Sequence, residues 1–183
     1  DVVISVSSGD TGEATVSPAT LTFTSGNWNS AQTVTVTGVD DSLVDGSQTT
    51  VATISVVDGS SDNDFDGVND QTVSVTTTND DTAGFTIAIS GGSTSVAESG
   101  STDTFTVVLD AQPTSNVVIS VSSGDTGEAT VSPSQLTFTS GNWDSAQTVT
   151  VTGVDDSLID GSQDTTITAS VVDSISNDSF DSL

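Results

Sequence analysis

The 183-residue chain contains no lysine, arginine or histidine, yet it carries 26 aspartates and glutamates, for a formal charge of −26. No carboxylate can therefore pair with a basic side chain of its own chain. Holding so one-sided a charge in a compact fold requires solvation, hydrogen bonds from backbone N–H and hydroxyl groups, or bound cations. The same absence argues against nucleic acid as a partner, because displacing phosphate counterions takes Lys and Arg, and against anionic membrane surfaces. Cysteine is missing as well, which removes disulfides, thiolate metal sites and cysteine nucleophiles. Without histidine there is no Ser-His-Asp or Cys-His arrangement and no imidazole-ligated metal. No run of about twenty apolar residues is available to cross a bilayer, so direct membrane insertion is not expected.

What the chain does have is repetition. Residues 2–68 recur at 117–183, a shift of 117 − 2 = 115 residues, with roughly three quarters of the positions identical. VVISVSSGDTGEATVSP, LTFTSGNW and SAQTVTVTGVDDSL stand in both copies almost unaltered. This is the signature of a tandem array of one module, not of a single enzyme with one cleft. Two full periods would take 2 × 115 = 230 residues, 230 − 183 = 47 more than the chain has. The expected division is a partial module over residues 1–81, lacking its two leading strands, and a second over 82–183, lacking its closing strand.

A hydrophobic content of 32% with this charge is compatible with disorder, but the residue pattern is not. Thr104-Phe105-Thr106-Val107-Val108-Leu109 and Thr148-Val149-Thr150-Val151-Thr152 alternate polar and apolar residues, the period of a half-buried strand, and the polar partners are mostly β-branched Thr. Turns of Gly, Asp, Asn and Ser separate such runs. They predict strands over 85–89, 104–109, 117–121, 136–138, 147–151 and 165–171, with the closing strand visible in the first copy at 71–77. The fold class is all-β, with about seven strands per period in two antiparallel sheets packed face to face. Phe105, Val107, Leu109, Val117, Ile119, Val121, Leu136, Phe138, Val149 and Val151 are the expected inward set.

Three stretches carry a family resemblance: Val96-Ala97-Glu98-Ser99-Gly100 before a strand, Val154-Asp155-Asp156-Ser157-Leu158-Ile159-Asp160-Gly161 after one, and Asn79-Asp80-Asp81-Thr82-Ala83-Gly84-Phe85 at the junction. Together, in that order and at one period, they resemble the Calx-beta domain family and its bacterial relatives in very large secreted or surface proteins. The resemblance implies tandem immunoglobulin-like (Calx-beta-type) antiparallel β-sandwich modules with Ca2+ at the end of the sandwich next to the linker. Carried over by position, it implies ligands Glu98, Asp155, Asp156 and Asp160 in the second module and Asp40, Asp41, Asp45, Asp80 and Asp81 in the first. The chemistry agrees, since calcium takes six to eight oxygen ligands and neighbouring carboxylates without a basic partner otherwise repel one another. The same Asp and Gly residues also suit solvated turns.

Other candidates remain open on sequence alone. Asp62-Asn63-Asp64-Phe65-Asp66-Gly67 fits the first half of a D-x-D-x-D-G calcium loop, but position twelve is Val73 and the second copy reads Asn177-Asp178-Ser179-Phe180-Asp181-Ser182, which favours a loop with Phe65 packed into the core. Asp10 and Glu13, repeated as Asp125 and Glu128, read by default as turn residues. Trp28 and Trp143 follow Gly-Asn at a turn; they are expected to cap the core edge, with sugar stacking as the alternative. The rows Thr33, Thr35, Thr37 and Thr148, Thr150, Thr152 are ordinary strand faces, or a surface for an ordered partner such as ice.

The expected function is a structural repeat of a long extracellular fibre, adhesin stalk or matrix protein, with calcium removing the repulsion at module ends and stiffening the junctions. Weak all-oxygen calcium sites fill reliably only outside the cell, which sets the expected compartment. Expected partners are calcium ions, neighbouring modules and other copies of the chain in a fibre. No enzymatic activity is expected, and the alternative is a surface or glycan recognition module.

Overall fold

The computed structural model describes residues 1–159, 161–181 and 183. Among these residues thirteen strands are formed: β1 (Val2–Ser8), β2 (Ala14–Ser17), β3 (Thr20–Phe23), β4 (Thr35–Gly38), β5 (Gln48–Val56), β6 (Gln71–Thr77), β7 (Phe85–Ile89), β8 (Thr102–Leu109), β9 (Val117–Ser123), β10 (Ala129–Ser132), β11 (Gln135–Phe138), β12 (Gln147–Gly153) and β13 (Ile167–Val171). Every pairing among them is antiparallel. Only short 3₁₀ turns interrupt the strands, and no α-helix occurs among the described residues. None of the helices there is long and apolar enough to cross a membrane.

The chain divides into two compact units, one of Asp1–Asp41 with Gly46–Asn79, the other of Ser42–Asp45 with Asp80–Leu183. In the second unit, sheet β10-β12-β8-β7 faces sheet β11-β9-β13. The core between them holds Phe105, Val107, Leu109, Val117, Ile119, Val121, Leu136, Phe138, Val149 and Val151, all ten of the residues predicted to point inward, together with Ala129, Val171 and Phe180. The alternation that identified these strands is what places them there. On β12, Val149 and Val151 are buried while Thr148 is exposed and Thr150 and Thr152 are half-buried.

The first unit repeats this plan at the same register. Val2 faces Phe23 as Val117 faces Phe138, Ile4 faces Val56 as Ile119 faces Val171, and Ala14 faces Gly38 as Ala129 faces Gly153. Its sheets are β3-β1-β5-β6 and the two-stranded β2-β4. Among the described residues β6 occurs only in the first unit and β7–β8 only in the second. The difference is legible in strand length: the identical heptapeptide QTVTVTG is a seven-residue strand as β12, paired on both edges, but only a four-residue strand as β4, paired on one.

Burial follows pairing. Phe138, Val117 and Ile119 are fully buried, whereas Phe23, Val2 and Ile4, their equivalents 115 residues earlier, are only partly so. Phe65 was expected to enter the core; it is 44% exposed, while its repeat Phe180 is sealed. For Phe23 and Phe138 the surrounding sequence LTFTSGNW is the same, and what covers the ring makes the difference.

Candidate functional site

The segment Val96–Gly100 is built as a tight turn before β8. The Gly100 N–H donates to the Ala97 carbonyl at 3.1 Å, the Ala97 N–H donates to Ser101 Oγ at 2.6 Å, and Gly100 adopts φ 82°, a left-handed conformation that suits glycine. This turn rests directly on β12. The Gly153 N–H donates to the Ser101 carbonyl at 3.0 Å, and a Cβ on Gly153 would collide with the Ala97 backbone. Glu98 lies in this turn, exposed, at the end of the sandwich where β8 begins and β12 ends.

Glu98 lines a cavity of about 610 Å³ at this end, together with Val96, Glu128, Asp164 and Ile167. Glu128 reads from sequence as a turn residue, and Asp164 is not among the expected ligands. The repeat of Glu128 at Glu13 was an available signal, whereas Asp164 is replaced by Thr49 in the first copy. The predicted ligands Asp155 and Asp156 are exposed and do not line this cavity. Asp156 Oδ1 instead accepts the Leu158 N–H at 2.7 Å, an Asx turn. Asp160 lies outside the described residues.

Of the remaining predicted ligands, Asp40 and Asp41 belong to the first unit and are exposed; Asp45, Asp80 and Asp81 belong to the second, with Asp81 partly buried. Among the described residues, no group of three or more carboxylates is gathered closely enough to hold a metal ion. The acidic turns are instead held by their own backbones. Asp10 Oδ1 accepts from the Gly12 N–H and Asp125 Oδ1 from the Gly127 N–H, each at 2.8 Å. In the D-x-D-x-D-G segment, Asp62 Oδ1 accepts the Asp64 N–H, and in the second copy Asn177 Oδ1 accepts the Ser179 N–H, both at 3.0 Å. The Asn–Asp exchange preserves this turn bond, which accounts for the loss of the carboxylate between copies.

Two carboxyl groups of the second unit depart from ordinary behaviour. Asp103 is held below the usual carboxylate range by the Ser90 hydroxyl, with further help from the backbone N–H groups of Thr104 and Ser95. Asp181 is pushed up by desolvation, with Asp173 and Asp178 adding like charge, and its Oδ1 is buried without a hydrogen-bond partner.

The two tryptophan turns have one geometry and two environments. Asn27 Oδ1 accepts the Thr24 N–H and Asn142 Oδ1 accepts the Thr139 N–H in matching turns. Trp143 packs against the core, and its carbonyl accepts the Leu109 N–H at 3.1 Å from the end of β8. Trp28 was expected at the core edge too but is 70% exposed; among the described residues no strand stands to it as β8 stands to Trp143.

No protein-family model matches the chain, and no curated protein does. Among solved structures, the chain is similar to surface layer protein SbsC domains 1–6, with 22% identity over 91% of this chain and a TM-score of 0.35. It is also similar to SbsC domains 4 and 5, with 21% identity over 92% of the chain and a TM-score of 0.34, and to S-layer protein rSbsC, with 21% over 91% and 0.35. It spans 19% of the length of the first and third of these chains and 69% of the second.

Proposed function

We propose that this chain is a structural repeat of a long extracellular or cell-surface protein, a fibre, stalk or matrix component, in which calcium neutralises the carboxylates at module ends and stiffens the junctions. The observation that carries this reading is the 115-residue period, over which both sequence and strand register recur. Two near-identical units serve length and spacing better than catalysis, and the reading assigns the chain no reaction. Calcium is supported by the charge of −26 with no basic side chain. Ligands are to come from Glu98, Asp155, Asp156 and Asp160 in one module and from Asp40, Asp41, Asp45, Asp80 and Asp81 towards the junction. Because the described carboxylates are not gathered beforehand, the ion must do the gathering, and the acidic turns must move to meet it.

A sugar-binding tryptophan would stand exposed beside polar groups. Trp28 meets that condition, exposed in a groove with the polar Asp1, Thr24, Ser25 and Asp62 as well as the apolar Val2, Ile4, Phe23 and Phe65, whereas Trp143 is packed on the core; recognition of a sugar at Trp28 is therefore the second reading. Thermal melts in calcium and then in chelator test the proposal. Binding to the folded state alone raises the midpoint by mass action. An unchanged midpoint after chelation refutes the calcium part, and equal maximum dimensions by small-angle scattering with and without calcium, for the parent and for Asp80→Ala/Asp81→Ala, refute the stiffening.

A further inference from the structure

The second unit includes a short segment from far up the chain, Ser42–Asp45, which lies in sequence between β4 and β5. Backbone pairing holds it there. The Gln112 N–H donates to the Ser42 carbonyl at 2.7 Å, and the Val44 N–H donates to the Gln112 carbonyl at 3.1 Å, so that Leu43 and Gln112 form a parallel bridge. Ser179 Oγ donates to the Val44 carbonyl at 3.4 Å, and Val44 packs against the sealed core.

The receiving turn, between β8 and β9, is anchored on every side. Ala111 and Pro113, which flank Gln112, are buried. Gln112 Nε2 donates to the Ser140 carbonyl at 2.9 Å, and the Asp110 N–H donates to the Gly84 carbonyl at 2.9 Å, which sets the turn at the end of the second unit where the chain enters β7. The docked segment is also part of the repeat and not peculiar to one copy: Ser-Leu-Val-Asp at 42–45 recurs as Ser-Leu-Ile-Asp at 157–160. The position that meets the core stays β-branched and apolar.

We propose that this Ser-Leu-(Val/Ile)-Asp segment is a docking element by which one repeat engages the next in the same chain, and that the turn around Gln112 is its receptor. The mode is strand addition cut down to a single residue: main-chain bonds to Gln112 hold the segment, and the apolar side chain at position 44 sets its register. A repeat is then tied to its successor by the loop after β4 as well as by the linker at 79–84. Backbone pairing and apolar contact need no metal, so the test is run in chelator throughout and its outcome is separate from that of the calcium reading.

The experiment uses the full chain with Trp28→Phe, so that Trp143, next to the turn that Gln112 holds through Ser140, reports alone. Val44→Asp sets a charge against the core. It should lower the thermal midpoint read by Trp143 by at least about 4 °C and speed amide hydrogen exchange at Gln112 by about tenfold or more. Val44→Ile, the residue of the second copy, should change neither. Ile159→Asp adds the same charge at the equivalent position, which is fully exposed, and should also change neither. Should Val44→Asp fail to fold, Val44→Ala is read in its place, with smaller shifts in the same direction. The proposal is overturned if exchange at Gln112 keeps the parent rate in the Val44 variant, or if Ile159→Asp acts as strongly as Val44→Asp. Exchange at Gln112 that speeds on dilution of the parent would show that the segment comes from another chain, and would overturn the assignment to successive repeats of one chain.

Discussion

Phe138 and Phe23 occupy equivalent positions in identical local sequence, LTFTSGNW, and differ in what covers them. Phe138 is 0% exposed within the sealed core, so Phe138→Ala removes buried ring surface and leaves a void that rigid neighbours fill only partly, a loss of about 3–5 kcal/mol. Phe23 borders a groove of about 520 Å³ already open to solvent. Truncating it widens that groove without creating a dry cavity, and only part of the transfer free energy is lost, about 1–2 kcal/mol. With a urea dependence of about 1–2 kcal/mol per molar for units of this size, the midpoint should fall by roughly 2–3 M for Phe138→Ala and roughly 1 M for Phe23→Ala. The assay is urea unfolding followed by fluorescence, with Trp143→Phe as background to report the first unit through Trp28 and Trp28→Phe to report the second through Trp143. Equal losses at the two sites would refute the reasoning, because they would mean that the first unit's core face is closed in solution.

Gly153→Ala should destabilise the second unit by about 1–3 kcal/mol, because the new methyl meets the Ala97 backbone, which has no rotamer with which to move aside. Gly38→Ala meets only the Thr77 methyl at 3.6 Å and should stay within about 0.5 kcal/mol of the parent; similar midpoints for the two variants in thermal melts would contradict this. Asp181 prefers its protonated form in the fold, so its favourable contribution is complete below the ordinary carboxylate value of 3.8 and is lost as pH rises through the raised value. Asp181→Asn should therefore raise the urea midpoint at neutral pH and converge with the parent in acid, and a lower midpoint at neutral pH would show that its charge is already compensated.

The fold was legible wherever a strand had both a solvent face and a core face. Alternation located β7 and β6 at their observed bounds and all ten inward residues, since period two is a direct imprint of the pleat. β10 escaped because Ala129–Ser132 is four residues long with one small buried side chain, too little to register as a pattern. The environment of Trp28 escaped for a different reason: its local sequence LTFTSGNW is that of Trp143, and burial of Trp143 depends on β8, which lies far along the chain. For the acidic positions, sequence gave residue types and period but not convergence. Asp10, Asp62, Asp125 and Asp156 satisfy backbone N–H groups of their own turns, a competing use of the same oxygens that spacing alone does not distinguish from metal ligation.

The two identical QTVTVTG edges also bear on how such a chain is made. During synthesis β4 emerges before β8, and β12 only after it. Pairing Val107 with Gln147 closes a loop of 147 − 107 = 40 residues, and the wrong pairing with Gln32 closes 107 − 32 = 75. That is a little under one doubling, worth about 0.6 kcal/mol of chain entropy, too little to choose between them. Order of emergence adds a kinetic bias, which the finished chain, with β8 on β12, has overcome. A β4 edge already covered by an upstream hairpin cannot capture β8, whereas a bare one is the first partner β8 meets. An array of near-identical repeats built in this way is protected from cross-pairing by folding each module to completion before the next hairpin appears, so slowing the upstream module or speeding the ribosome is the route to tangled product.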